Sequence, residues 1–161
     1  RPLNLIRRYL RVSEGDDFVG LQTYNRTVLG PDGPVPPAEG AVVNPAGEEI
    51  WPWAIGAVVR QAWDTVKVPI IVTENGLNTA DDAQRVDFLR TAIAEVGAAI
   101  ADGVPVGGYM CWSAMDNFEW IFGYGPKFGI IAVDRDTRER TLKESARIYG
   151  EIARTNGAFL A

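Results

Sequence analysis

Three short apolar runs mark the chain, and the segments between and after them repeat apolar residues every three or four positions. None of the runs alternates with polar residues, which indicates strands buried on both faces. The predicted strands are Phe18–Tyr24, Val68–Thr73 and Val106–Ser113. Because helical segments separate these strands, the pattern predicts an α/β fold with parallel strands and right-handed crossovers.

Two of the helical segments lie between strands and carry one apolar face each. These segments are Glu48–Asp64 and Asp81–Ala101, and in the second the apolar spacing is that of an amphipathic helix. We expect Thr79 to cap the second helix at its N-terminus, with Asp82 as the third residue after the cap.

The last part of the chain predicts a hairpin and then a final helix. Thr141–Thr155 opens with Thr-Leu-Lys-Glu, which is a capping-box pattern, and Asn156-Gly157 is suited to end the helix. The stretch Gly30–Gly47 is rich in proline and glycine and predicts one long surface loop.

A polar pair follows the end of each predicted strand. The pairs are Asn25-Arg26, Glu74-Asn75 and Asp116-Asn117. Ligands bind at the carboxyl ends of strands in α/β barrels and in open α/β sheets. An eight-unit barrel needs roughly 250 residues, and the three predicted strands supply about three of its eight βα units.

Composition narrows the classes of function. With 47% hydrophobic and 23% charged residues, the chain is a folded domain rather than a disordered one. The formal net charge of −5 and the lack of a basic stripe exclude nucleic acid as a partner. The sequence has no histidine, which excludes Ser-His-Asp triads and nearly all zinc sites, so we expect no metal and no cofactor.

Cellular context is predicted from what the sequence lacks. The single cysteine, Cys111, forbids an internal disulfide and is typical of a reducing compartment. No apolar run reaches the ~18 residues of a membrane helix, so no membrane partner is expected. Without a signal-peptide core we expect a cytoplasmic location, and the missing initiator Met predicts a piece of a longer protein.

Glu74 is the first candidate for chemistry because it ends an apolar strand. A carboxylate at that position can act as a nucleophile or a base, or can simply cap the next helix or be solvated. The segment Trp112–Trp120 places two indoles around acid and amide side chains, which suits a carbohydrate but also fits a core Trp beside an acidic turn. Tyr24 is either a hydrogen-bond donor to a neighbouring carboxylate or an ordinary strand aromatic.

Two other features favour a structural interpretation. Cys111 lies inside an apolar strand and is predicted to be a small buried hydrophobe rather than a reactive thiol. Gly107-Gly108 also lies within a strand and indicates close backbone packing rather than a phosphate loop.

Four motifs in order resemble the C-terminal part of family 1 glycoside hydrolases, the β-glucosidases. The resemblance covers about Asp17 to Asn156, and the motifs are IVTENG, WSAMDNFEW, GYGPKFGIIAVD and RTLKESARIY. It implies a partial (β/α)8 barrel of about the last three βα units, with residues 1–161 as the C-terminal portion of the glycosidase domain. It also implies a β-glucoside or small oligosaccharide as partner.

The resemblance implies roles for six residues. Glu74 would be the catalytic nucleophile of a retaining mechanism, and Tyr24 would orient its carboxylate. The substrate-binding residues would be Trp112, Glu119, Trp120 and Phe128. An acidic Glu119 is incompatible with a phosphate, so the resemblance implies an unphosphorylated sugar, glucose first, with galactose or fucose as alternatives.

Two departures from the family pattern shape the expectation for this chain. GLQTYNR has Gln22 and Thr23 where the common pattern has Asn-Tyr. The family carries its acid/base glutamate in an Asn-Glu-Pro motif, which this chain lacks, so the resemblance implies that the acid/base carboxyl required for retaining hydrolysis is absent here. We therefore expect at best a very weak hydrolase, and the alternative is a catalytically incomplete sugar-binding or oligomerising module.

The implied fold also predicts association. Three parallel strands taken from a barrel expose two sheet edges and an apolar face, and both features favour pairing with another chain. We expect a homo-oligomer or a complex with the missing N-terminal portion of the barrel.

Overall fold

A computed structural model describes residues 2–160. Its helices are α1 (Pro2–Leu10), α2 (Ala54–Val66), α3 (Asp82–Ala101) and α4 (Glu144–Arg154). Its strands are β1 (Val19–Gln22), β2 (Leu29–Gly30), β3 (Gly33–Pro34), β4 (Ile70–Asn75), β5 (Val106–Cys111), β6 (Ile131–Val133) and β7 (Arg140–Leu142). Short 3-10 turns occupy Arg11–Ser13, Trp120–Phe122 and Ala158–Leu160.

The central sheet has the order β1-β4-β5, and both strand pairs are parallel. Ile70 of β4 pairs with Val19 on one side and with Val106 on the other. Helices α2 and α3 are the crossovers that parallel pairing requires. The predicted α/β alternation is therefore confirmed, and so is the predicted hairpin, which is the antiparallel pair β6–β7.

The core lies between the sheet and the two crossover helices. Ile70 and Val72 point to the same side of β4, and Ile55, Val59 and Leu89 meet them from the helices. All five are fully buried. Packing of this kind fixes the strand ends, where the candidate site residues begin.

No helix in the described part of the chain has the length and apolar character needed to cross a bilayer.

Burial of the strands on both faces was a wrong prediction. No residue of β5 is fully buried, and Met110 is 53% exposed. The physical reason is that, within residues 2–160, α2 and α3 cover only one face of the sheet. The strands also differ from their predicted ranges. Strand β1 is shorter, since it omits Phe18 and Tyr24, and β4 is shifted, since it continues to Asn75.

One predicted helix start and one predicted N-cap were wrong for identifiable reasons. Helix α2 begins at Ala54 rather than Glu48, because Glu49 forms an antiparallel bridge with Val43. Helix α3 is capped by Asp81, whose side chain accepts a hydrogen bond from the Ala83 amide. Thr79 instead accepts a hydrogen bond from the Asp81 amide, one step before the helix.

The capping box predicted for the last helix does not form. Thr141 belongs to strand β7, and the residue at the N-cap of α4 is Lys143, which makes no side-chain cap. The predicted end is confirmed, because Asn156 and Gly157 both have positive φ and the Gly157 amide bonds back to Ile152.

The predicted loop Gly30–Gly47 is not irregular throughout. Its start belongs to the small hairpin β2–β3, and Asn44 forms a side-chain-stabilised turn further along. Helix α1 was not predicted at all.

Candidate active site

The site begins where β1 and β4 end side by side. A register shift lets Gln22 pair with Glu74, so that Thr73 is skipped. Backbone pairing continues past β1, since the Thr23 amide donates to the Glu74 carbonyl at 3.3 Å. The Asn75 side chain closes the arrangement with a 2.5 Å bond to the Thr23 carbonyl. The two strand ends are therefore held together by backbone and side-chain bonds.

Both oxygens of the Glu74 carboxylate accept a hydrogen bond. The Tyr24 hydroxyl donates to Oε2 at 2.5 Å, and the Gln22 amide Nε2 donates to Oε1 at 2.9 Å. Burial of the phenol, and next its bond to Glu74, raise the pKa of Tyr24 above its usual value. Tyr24 therefore remains a donor throughout the physiological pH range.

Trp112 follows β5 and lies against the end of β4. Its amide donates to the Asn75 carbonyl at 2.9 Å, and the Trp112–Ser113 peptide bond is cis. A Cβ on Gly76 would collide with the Trp112 carbonyl oxygen, so this close approach requires glycine at position 76. The predicted platform residue is thereby placed directly beside the strand end that carries Glu74.

Phe128 joins the same group. The Ser113 amide donates to the Phe128 carbonyl at 3.2 Å, and the Phe128 ring meets the Tyr24 ring edge-on with centroids 5.6 Å apart. The structure therefore brings together four of the six predicted site residues: Tyr24, Glu74, Trp112 and Phe128.

Glu119 and Trp120 lie in the turn after β5. Glu119 lies near enough to Tyr24 for its charge to contribute to the raised pKa of the phenol. Trp120 lies on the rim and is 76% exposed. Its neighbours Phe118, Ile121 and Phe122 are exposed as well, so the rim of the site is strongly apolar.

Asp116 belongs to the scaffold rather than to the reacting groups. Its carboxylate is 6% exposed and accepts hydrogen bonds from Lys143 Nζ at 3.1 and 3.3 Å and from the Gly129 amide at 2.9 Å. Burial lowers the pKa of Lys143, and the Asp116 carboxylate opposes that shift. With both oxygens engaged, Asp116 anchors the turn that carries Glu119.

A second buried group, centred on Arg85, was missed by sequence reasoning. Arg85 is 1% exposed and donates to the Asp82 carboxylate and to the carbonyls of Thr79 and Lys127. Asp82 accepts two further bonds from Ser145, at 2.9 and 2.7 Å. Burial alone would raise the pKa of Asp82, but hydrogen bonds from Ser145 and Arg85 hold it below its usual range.

This Arg85 group ties the active-site segments to the helices. Lys127 directly precedes Phe128, and its amide also donates to the Asn78 side chain at 2.8 Å. The sequence contained a signal for it, because Arg85 occupies an apolar-face position of α3 together with Phe88, Leu89 and Ala92. An arginine at such a position requires buried partners.

The thiol of Cys111, the last residue of β5, gives a direct chemical test of the packing around that strand end. Burial raises the pKa of its thiol from 9.0 to about 12. Since only the thiolate reacts, alkylation of the native chain at pH 8 should be about 1000-fold slower than that of an ordinary thiol. The measurement is the rate of iodoacetamide labelling, with the urea-unfolded chain as control. Equal rates in both states would contradict the raised pKa of the thiol.

Comparison with known proteins decides the family. The sequence model of glycosyl hydrolase family 1 matches residues 42–158. The chain belongs to glycosyl hydrolase family 1. The predicted resemblance is therefore confirmed.

Relatives of this family 1 chain include β-glucosidase A of Thermotoga maritima, which is 35% identical over 162 residues, covering 91% of this chain and 36% of the relative. The β-galactosidase of Saccharolobus solfataricus is 32% identical over 157 residues, covering 88% and 32%. The crystal structure of β-glycosidase BGL167 is 61% identical with a TM-score of 0.90, covering 93% of this chain and 36% of that one.

The chain therefore spans about a third of the length of these relatives, in agreement with the predicted partial chain. The family 1 neighbours confirm the fold as a partial (β/α)8 barrel. Within residues 2–160, no three Cys, Asp or Glu side chains are grouped closely enough to hold a metal ion.

Proposed function

We propose that this chain carries the nucleophile and part of the glycone subsite of a retaining β-glucosidase. The reaction would be hydrolysis of terminal β-D-glucosyl residues from unphosphorylated β-glucosides or small oligosaccharides. The observation that carries the proposal is the Glu74 carboxylate at the end of β4, held by the Tyr24 hydroxyl at 2.5 Å. A strand-end carboxylate with a fixed orientation is suited to attack an electrophilic carbon.

In the proposed mechanism one Glu74 oxygen attacks the anomeric carbon and the aglycone oxygen leaves. Tyr24 stays protonated, so its hydroxyl can donate first to the attacking carboxylate. It can then donate to the ring oxygen of the sugar as the bond between Glu74 and the anomeric carbon forms. Water then cleaves the glycosyl–enzyme ester. Protonating the aglycone and activating that water require a second carboxyl group.

The second carboxyl group is assigned outside this chain. Asp116 is excluded from the role because Lys143 and the Gly129 amide engage both of its oxygens. Glu119 is assigned to sugar hydroxyls, since ionised carboxylates accept hydrogen bonds well. The chain alone is therefore proposed to be at best a very weak hydrolase.

The remaining site residues are assigned to the sugar. Trp112 is the platform for the glycone ring, because indole faces pack on the C–H faces of sugars. Phe128 packs against Tyr24 and lines the same subsite, and Trp120 lies on the rim beside Glu119. The negative charge of Glu119 disfavours a phosphorylated sugar and favours free glucose hydroxyls.

The test is covalent capture with 2-deoxy-2-fluoro-β-D-glucosyl fluoride. Its carbon–fluorine bond at the anomeric centre breaks as a Glu74 oxygen bonds to that carbon, and fluoride leaves with the electron pair, so no acid catalyst is needed. We expect one fluoroglucosyl group per chain, located on Glu74 by peptide mass spectrometry. Glucose binding without any adduct would support the alternative, a sugar-binding module without turnover.

We also propose that residues 1–161 are the C-terminal portion of the barrel domain and that the chain associates through its open sheet. Strands β1 and β5 each have a partner on one side only among the described residues, and Met110 is 53% exposed. Such edges and apolar faces favour a homo-oligomer or a complex with the N-terminal portion of the barrel. A monodisperse 17.6 kDa species in solution scattering would contradict this.

The proposed location is the cytoplasm. The support is the single cysteine, Cys111, which is typical of a reducing compartment. Fractionation of the source cells would test it.

A further inference from the structure

We propose that Gln22 is a positioning residue for the Glu74 carboxylate and sets the angle at which that carboxylate meets the sugar. This inference rests on the proposed function, because it assigns Gln22 a role in the same covalent step. It gives a chemical role to a position at which the sequence departs from the common family pattern.

The position of Gln22 beside Glu74 is set by backbone pairing and not by a chance side-chain contact. The register shift between β1 and β4 skips Thr73, so Gln22 pairs directly with Glu74. The Thr73 hydroxyl bonds to the Leu21 carbonyl at 3.2 Å and keeps the shift in place. Neighbouring strands lie about 5 Å apart, so paired residues have side chains within reach of each other. The Gln22 amide is therefore held beside Glu74 by the fold of the sheet.

Gln22 and Tyr24 act from one side of the chain. They are two residues apart, and residues at that spacing in extended backbone point to the same face. Each reaches a different oxygen of Glu74, at 2.9 Å from Gln22 and 2.5 Å from Tyr24. Only the Nε2 end of the Gln22 amide can face the carboxylate, since its oxygen would bring two acceptors together.

Two donors restrict the carboxylate more than one does. The last torsion of a glutamate is broad and roughly two-fold, so a carboxylate with one donor can still rotate about that contact. A second donor on the other oxygen fixes the plane of the group. Small errors in the direction of attack are costly, and a displacement of about 1 Å can lower a rate by 10²-fold.

The expected size of the effect is limited by solvent. The Gln22 bond is exposed, so water can replace the amide when the side chain is removed. We therefore expect about a tenfold fall in the labelling rate when the donor is removed, rather than complete loss. The bond from the half-buried Tyr24 is the stronger of the two, and its removal should cost more.

The test measures the maximal rate of labelling by 2-deoxy-2-fluoro-β-D-glucosyl fluoride for the full chain and three variants. Gln22→Met keeps the shape but removes the donor, and should lower the rate about tenfold while the probe concentration for half-maximal rate stays unchanged. Gln22→Asn keeps an amide and should recover part of the loss. Gln22→Glu puts a second carboxyl beside Glu74, so its pH profile of labelling should move to higher pH.

Gln84→Met on α3 is the matched control, and thermal melting is recorded for every variant. A structural role alone would lower the melting temperature and leave the pH profile in place. If Gln22→Met fails to fold, the isosteric Gln22→Glu variant still decides through its pH profile. Wild-type labelling of Glu74 with unchanged rates and profiles in the Gln22 variants would overturn this inference alone. No adduct on wild-type Glu74 would overturn the proposed function and this inference with it.

Discussion

The variant Glu74→Gln is expected to lose covalent capture by 2-deoxy-2-fluoro-β-D-glucosyl fluoride completely, while the fold is kept. Gln has the shape of Glu but no anionic oxygen, so it cannot form the ester with the anomeric carbon. The hydroxyl of Tyr24 can still donate to the amide oxygen of the variant, so the local packing should persist. The measurement is the intact mass after prolonged incubation, together with circular dichroism.

The matched control for Glu74→Gln is Glu119→Gln. Glu119 is the same residue type and lies near Tyr24, but it is assigned to sugar hydroxyls rather than to attack. This control should still label on Glu74, at a higher probe concentration. The assignment of the nucleophile would be wrong if Glu119→Gln abolished the adduct and Glu74→Gln retained it.

The sequence pattern predicted the frame of the fold because strand and helix periods are local properties. The three parallel strands and the crossovers α2 and α3 could be predicted because the pattern of each element lies within its own short stretch of sequence. The capping box at Thr141 failed because strand pairing in the neighbouring hairpin took that segment. Thr141 pairs with Ala132 in the β6–β7 hairpin, and this removes it from the helix start.

The site could be predicted only where a side chain ends a strand or belongs to a family motif. Glu74, Tyr24 and Phe128 come together as expected, but the bond from Gln22 depends on the register shift that skips Thr73. Gln22 and Glu74 are 52 positions apart, so their pairing cannot be read from a local pattern of the sequence. The scaffold role of Asp116 could not be predicted, because its buried contact with Lys143 spans 27 positions of sequence.

Replacing the buried Arg85 by Met is expected to cause the largest loss of stability in the chain. The guanidinium joins α3 to the Thr79 and Lys127 carbonyls and to Asp82, which in turn holds Ser145 of α4. Met fills a similar space but leaves a carboxylate and two carbonyls without their donor. Removing one partner of a buried pair costs about 3–5 kcal/mol, so the melting temperature should fall by about 10 °C or more.

The pH dependence of this loss distinguishes the ion pair from simple packing. The pKa of Asp82 is lowered in the folded chain, so its contribution is present above about pH 4 and disappears as the pH falls through the lowered value. The gap between wild type and Arg85→Met should therefore narrow in acid. Arg147→Met is the surface control, because that side chain is 69% exposed, and it should melt within about 2 °C of wild type. Equal melting temperatures for the Arg85 and Arg147 variants would show that the buried network does not hold the Phe128 segment in place.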